Sequence, residues 1–205
     1  QLRRRQGIDL PTACVREADV ILASQWKHLW AIPNVLPVAF PQGENEEGRA
    51  AETLLLHIVA KQVVRLDAPG LAEALITLQI SPIEFEAVRP DLEGIATQLA
   101  ASPDASQAVF ASLRDILRPL TGRTLAGPSH DYHLRLQSLQ SRMGESCLVP
   151  GLTIHQAKGM EWRNVGVRLT VAEARTLREG LDSALESDRR VYVACTRARY
   201  RTFAV

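Results

Sequence analysis

The side chains best suited to chemistry in this 205-residue chain lie in two short stretches near its C-terminal end. The first is Thr153-Ile154-His155-Gln156-Ala157-Lys158-Gly159-Met160-Glu161-Trp162 and the second is Tyr192-Val193-Ala194-Cys195-Thr196-Arg197-Ala198-Arg199. His155 and Lys158 stand three apart, so within one turn they face the same way, and both donate well to phosphate oxygens. Glu161 lies three residues beyond Lys158, placed either to bind a sugar hydroxyl or to pair with Lys158 itself. Gly159 lets a backbone approach a ligand closely. Arg197 follows an apolar helical stretch and a threonine, a place for a fixed guanidinium. Where such a group stabilises a transferred phosphoryl, it is worth roughly 10³ to 10⁵ in rate. Each residue also has a plain structural reading, as a salt-bridge partner or a surface arginine. Together the two stretches offer cations and a carboxylate to a polyanion.

Other constellations are weaker. His130 and His133 have the spacing of a helical metal pair, but no second cluster completes it, and packing or solvation explains them. Ser129-His130-Asp131 is adjacent in sequence, which is not how a catalytic triad is assembled. Trp26 and Trp30, four apart, read as core or interface, and Cys195 reads as an inert thiol at an apolar helix end. No metal site is expected.

The elements that must hold these residues follow from the apolar pattern. Asp19 to Ala23 is a short β-branched run that reads as a buried strand. Val35 to Phe40 is a second extended piece in a region where Pro33, Pro37 and Pro41 exclude a long helix. Gln42 to Glu47 reads as a polar turn, and Glu46 to Leu66 carries one apolar helical face. Shorter helices are expected over Leu71 to Leu78, from Ser81-Pro82, from Pro90-Asp91 through Leu99, from Ser102-Pro103-Asp104 through Leu117, and over His130 to Met143, with a loop from Pro119 to Pro128. After Gly144 the pattern changes. Cys147 to Ile154, Asn164 to Leu169 and Arg201 to Val205 read as strands, and Val171 to Leu185 and Ser187 to Ala194 as helices. This is an α/β pattern, suited to a parallel sheet with ligands at the carboxyl ends of its strands. Three regions result: 1–41 with a strand of the sheet domain, a helical 42–145, and an α/β 146–205.

Composition sets the frame. With 46% apolar residues a packed core is affordable, and no run of 18 apolar residues exists to span a membrane. Three widely separated cysteines without a CxxC pair fit a reduced, cytoplasmic protein. Net charge is +1, yet of the 24 basic residues only Lys27, Lys61 and Lys158 are lysines. Arginine richness suits phosphate contacts, and a GC-rich genome explains it equally simply. The chain starts at Gln1 without a methionine and without a signal-peptide core, which reads as a piece of something longer.

Taken together, the two stretches resemble the C-terminal half of the UvrD/Rep/PcrA helicases of superfamily 1. Thr153 to Trp162 is similar to that family's motif V, T-[LIM]-H-x-[AS]-K-G-[LM]-E-[FW]. Glu186 to Arg199 is similar to motif VI, E-E-R-R-L-x-Y-V-A-x-T-R-A, with the strand Asn164 to Leu169 between them. The likeness is specific over about 55 residues, Leu152 to Val205. It departs at Ser187, where the family has the second acid, and at Asp188, where it has the first arginine; Arg189 keeps the second. Weaker likeness covers Asp19 to Ser24 and the segment Phe40 to Leu66, with Arg49 ahead of a long helix.

The resemblance implies a fold and a set of roles. The fold would be part of a RecA-like domain, called 2A, carrying a mostly helical 2B-like insertion. Arg197 would be the arginine finger of an ATP site, Glu161 would contact the nucleotide sugar, and Gly159 would admit its close approach. Thr153, His155 and Lys158 would touch the backbone of single-stranded DNA. ATP with Mg²⁺ would be held mainly by an upstream RecA-like ATPase domain, in the same polypeptide or a partner chain. No G-x-x-x-x-G-K-[ST] phosphate loop occurs in these 205 residues, so hydrolysis by this chain alone is not expected. The alternative is a non-catalytic, helicase-like module that binds DNA or protein.

Overall fold

Val20–Ala23 is apolar at every position, as a strand must be when it is covered on both faces, and it forms the centre of a parallel sheet. The computed structural model describes residues 7–39, 45–102, 106–125 and 130–205, without the side chains of residues 106 and 130–132. The strands are β1 (Val20–Ala23), β2 (Val35–Pro37), β3 (Val149–Thr153), β4 (Trp162–Arg168) and β5 (Ala198–Ala204). Their order is β2-β3-β1-β4-β5, and every pairing is parallel. The protein is therefore α/β with a five-stranded all-parallel sheet.

The chain divides into two compact units, residues 1–37 with 147–205, and residues 38–146. The first contains the sheet with α1 (Trp26–Trp30), α7 (Val171–Glu179) and α8 (Glu186–Cys195). The second contains α2 (Glu46–Val63), α3 (Leu71–Leu78), α4 (Pro82–Ala101), α5 (Ser106–Thr121) and α6 (His130–Met143). Five sequence features fall outside the described residues: the basic start Gln1 to Arg5, Phe40 to Glu44, Pro103-Asp104, Gly127 to Ser129, and the side chains of His130 and Asp131.

In the sheet unit, Ile21 is in register with Gly151 on β3 and with Gly166 on β4. A Cβ on Gly166 would stand 2.4 Å from Ile21 Cδ1, and one on Gly151 would stand 2.6 Å from Val35 Cγ1. Both strands beside β1 thus carry a residue without a side chain at this level. Ile21 packs there with Ala18, Ala23, Leu29, Val35, Val149 and Phe203. Asp19 secures the β1–β4 register, since its amide donates to Asn164 O at 3.0 Å and its Oδ2 accepts from the Asn164 amide at 2.7 Å.

Several helix boundaries differ from the sequence expectation, each for a local reason. No break occurs at Pro90, and α4 runs through it. Ser81 and Glu84 cap the helix reciprocally, and Arg89 ties Glu86 to Glu93 across the proline at 3.0 and 3.2 Å. Burial of Phe85, Leu92, Ile95, Ala96 and Leu99 on one face favours a continuous helix over the roughly 3 kcal/mol penalty of an internal proline. Arg49 lies inside the first turns of α2 rather than ahead of it, because Asn45 caps the helix from its side chain to the Gly48 amide. Helix α7 stops at Glu179 instead of Leu185, since Gly180 takes φ 102° and its amide closes on Thr176 O.

Two measurements follow from this packing. Gly166→Ala is expected to lower stability by about 1–3 kcal/mol through overpacking against Ile21. Adding Ile21→Val removes Cδ1 and should recover most of the loss. Urea titration followed by tryptophan fluorescence reads it, because Trp26, Trp30 and Trp162 all belong to the sheet unit.

In the helical unit, Glu52 is fully buried, with Arg135 Nη1 at 3.2 Å from Oε2 and no hydrogen bond to Oε1. Burial raises its pKa to about 8, against the pull of Arg135 and Arg49. The folded state therefore keeps a proton that the unfolded chain releases near pH 4.5. The contribution of Glu52 to the stability of the helical unit should fall as pH rises from about 4.5 to about 8 and then level off. Thermal melts followed by circular dichroism should show this slope, and Glu52→Gln should flatten it.

Candidate functional site

The two chemistry-bearing stretches become neighbours through the β4–β5 pairing. Strand β3 ends at Thr153, and the next eight residues, Ile154 to Glu161, carry the chain past β1 to the start of β4. The link is held by its own turns. The Ala157 amide donates to Thr153 O at 3.1 Å, Lys158 to His155 O at 3.3 Å and Met160 to Ala157 O at 3.1 Å. Gln156 reaches back, its Oε1 accepting from the Thr153 amide at 2.8 Å and the Thr153 hydroxyl at 2.9 Å. Ile154 and Ala157 are buried and anchor the link, which leaves His155, Lys158, Gly159 and Glu161 on the exposed side.

Arg197 follows Thr196, the residue that caps the end of α8, and directly precedes β5. Its carbonyl accepts from the Trp162 amide at 3.0 Å, its Nε donates to Val193 O at 3.2 Å, and its Nη1 lies 3.5 Å from Met160 O. The guanidinium thus bonds carbonyls and the Thr196 hydroxyl, with no carboxylate partner among the described residues. Beside it, Arg199 Nε holds Glu161 Oε2 at 3.0 Å. Glu161 therefore pairs with Arg199, not with Lys158, and both partners are largely exposed, so the pair contributes little to stability. Lys158 is exposed and has no ion-pair partner among the described residues.

These placements differ from a site at the carboxyl ends of the strands. Only Thr153 ends a strand, at the carboxyl end of β3. Glu161, Arg197 and Arg199 gather at the amino ends of β4 and β5. The reason is topological, because in a parallel sheet a connection must return to the starting edge before the next strand begins. His155 and Lys158 lie on the link between the two ends.

Asp188 shows what its position does here. Its carboxylate is buried and accepts from the Asp182 amide at 2.9 Å and from the Ser187 hydroxyl at 2.9 Å, fixing the loop that leads from α7 into α8. Arg189 closes the same loop through the carbonyls of Ser183 and Ala184. The small cavity there, about 50 Å³ and lined by Leu181, Asp182, Ser183, Asp188, Arg189 and Tyr192, has room for water but not for a nucleotide. Cys195 is held protonated, its thiol pushed up to about 11 by burial. Among the described residues no group of three or more His, Cys, Asp or Glu is arranged to hold a metal ion. No helix there is long and apolar enough to cross a membrane.

Sequence reasoning did not find the Arg199–Glu161 pair or the structural duty of Asp188. The first joins residues 38 apart and exists only once β4 and β5 are paired. For the second, a weak signal was present, an acid in the first turn of a helix preceded by a serine.

Gly159 takes φ +81° with nothing within 4 Å of where a Cβ would stand, so conformation rather than space demands glycine. Gly159→Ala should therefore cost about 1–2 kcal/mol by urea titration, and Gly159→Asn less, as asparagine tolerates the left-handed region. Compared with known proteins, the chain matches no family model and no curated protein.

Proposed function

We propose that this chain supplies the 2A-like and 2B-like part of an ATP-dependent DNA helicase or translocase, half of a site completed by an upstream RecA-like ATPase domain. The observation that carries this reading is the meeting of the two motif-like stretches. Arg197 bonds Trp162 through its carbonyl at 3.0 Å and approaches Met160 O with Nη1 at 3.5 Å, so the arginine and the link move as one piece. The all-parallel sheet is compatible with a RecA-like domain, and residues 38–146, lying in the chain between β2 and β3, would on this reading correspond to the 2B insertion.

On this reading the upstream domain would hold ATP with Mg²⁺, and this chain would add Arg197 and Glu161 at the nucleotide. Arg197 has no carboxylate to neutralise it among the described residues, so its N–H groups remain suited to a phosphate. Glu161 would have to exchange Arg199 for a sugar hydroxyl, an exchange made easy by the exposure of that pair. ATP would supply the phosphoryl group whose developing charge Arg197 would stabilise. Thr153, His155 and Lys158 would bind the backbone of single-stranded DNA, with Lys158 and His155 exposed for it. Because His155 and Lys158 sit on the link that ends at Glu161, and Thr153 at its start, a shift at the nucleotide would reach the DNA strand through those eight residues.

A second reading, a non-catalytic helicase-like module binding DNA or protein, is favoured by one observation. Asp188 stands where the family's first arginine does, and it is buried as a loop fastener.

The two readings separate on hydrolysis by the protein joined to its phosphate-loop domain. Arg197→Ala is expected to reduce DNA-stimulated ATP turnover by roughly 10³ to 10⁵, while Arg199→Ala changes it far less. Unchanged turnover in Arg197→Ala sinks the arginine-finger role and leaves the binding module.

A further inference from the structure

At the rim of the sheet, two exposed side chains unused by the site above form a unit. Arg163, the second residue of β4, holds its guanidinium 5.4 Å from the centre of the Tyr200 ring on β5. Tyr200 is 76% exposed, and Arg163 is exposed as well. Among the described residues, no carboxylate pairs with Arg163 and nothing bonds the Tyr200 hydroxyl. The ring contributes nothing to the core, which on this strand is served by Phe203.

The charge around the pair is unbalanced. Arg199 is taken up by Glu161 and Arg201 by Glu17, each at 3.0 Å. Among the described residues, that leaves Arg163 and Arg197 as cations without a carboxylate at the start of β4 and β5. Strand β5 is the outermost of the five, and its described neighbour on the far side is a single bridge from Thr12 to Ala204 at its other end. Among the described residues, none pairs with β5 on that side at Tyr200.

We propose that Arg163 and Tyr200 form a contact for single-stranded nucleic acid, a base stacking on the exposed faces of the pair and an adjacent phosphate taking the free N–H donors of Arg163. The chemistry selects this ligand. Every base has a π face, so a ring with a guanidinium plane stacks any sequence, and the planar donors match phosphate oxygens. A paired duplex hides those faces, and an acidic peptide would use the charge but not the ring. These residues are distinct from Thr153, His155 and Lys158.

The test is fluorescence anisotropy of a labelled oligothymidylate with the whole chain, across a salt series. Tyr200→Ala and Arg163→Ala should each weaken binding by roughly 5- to 100-fold. Arg163→Ala should also lower the slope of log affinity against log salt by about 0.7, which Tyr200→Ala should not. Tyr200→Phe should bind as the parent does, since stacking needs the ring and not the hydroxyl. Unaltered circular dichroism and tryptophan emission confirm that each variant is folded.

Failure of the parent to bind overturns the proposal, as do alanine variants that bind like the parent. A free mononucleotide that competes as well as the oligonucleotide also overturns it, assigning the pair to a nucleotide instead. Lys158→Ala keeps this separate from the helicase reading. Loss in Lys158→Ala with Tyr200→Ala unchanged removes the present proposal and spares that reading. The reverse pattern supports the present proposal and removes the role given to Lys158.

Discussion

The sheet unit depends on one steric arrangement, Ile21 at the centre of β1 flanked by glycines on both neighbouring strands. Parallel strands lie about 4.8 Å apart. Backbone hydrogen bonding sets that spacing, and the glycines leave room above it, Gly166 for Ile21 and Gly151 for Val35 and Leu29. The C-terminal end of β3 and the start of β4 are thereby set at a span that the eight-residue link can cross. Everything proposed for the site rests on that span.

The link illustrates how local and long-range forces divide the work. Its turns are internal, made by Thr153, Gln156 and Ala157 and reversed at Gly159. Its destination is not. Trp162 is received by the carbonyl of Arg197, which is positioned by the end of α8, and α8 is positioned by Val191 packing with Leu177 and Leu181. A change in α7 could therefore reach Arg197 through packing alone.

Charge is handled differently in the two units. In the sheet unit the pairs Arg199–Glu161 and Arg201–Glu17 are exposed and readily exchanged. In the helical unit Glu52 is sealed within the packing, where desolvation outweighs two arginines and holds a proton on the carboxyl. An apolar residue of similar size would avoid that cost. The acid there gives the unit a pH dependence of opposite sign to that of the exposed Asp67 and Glu84, whose carboxyls are lowered by their hydrogen bonds to Lys61 and Ser81.

Much of the architecture was legible in the amino-acid order. The apolar run at Val20 to Ala23 marked a buried strand, Asn164 to Leu169 marked another strand, and the apolar spacing of Glu46 to Leu66 marked a long helix, although that helix is buried at every position from Leu54 to Ala60 and not on one face alone. Pro90 and the Val171 to Leu185 stretch were misjudged, since local rules do not weigh a buried face against a proline or foresee a single glycine ending a helix. At the site, sequence alone determined which donors and acceptors exist and that Gly159 interrupts them. Only the tertiary structure decided that Glu161 pairs with Arg199, that Asp188 serves a loop, that the polar residues gather at the amino ends of β4 and β5, and that Arg163 meets Tyr200. Those contacts join residues dozens of positions apart, and strand register, which brings them together, is a property of the sheet and not of any one segment.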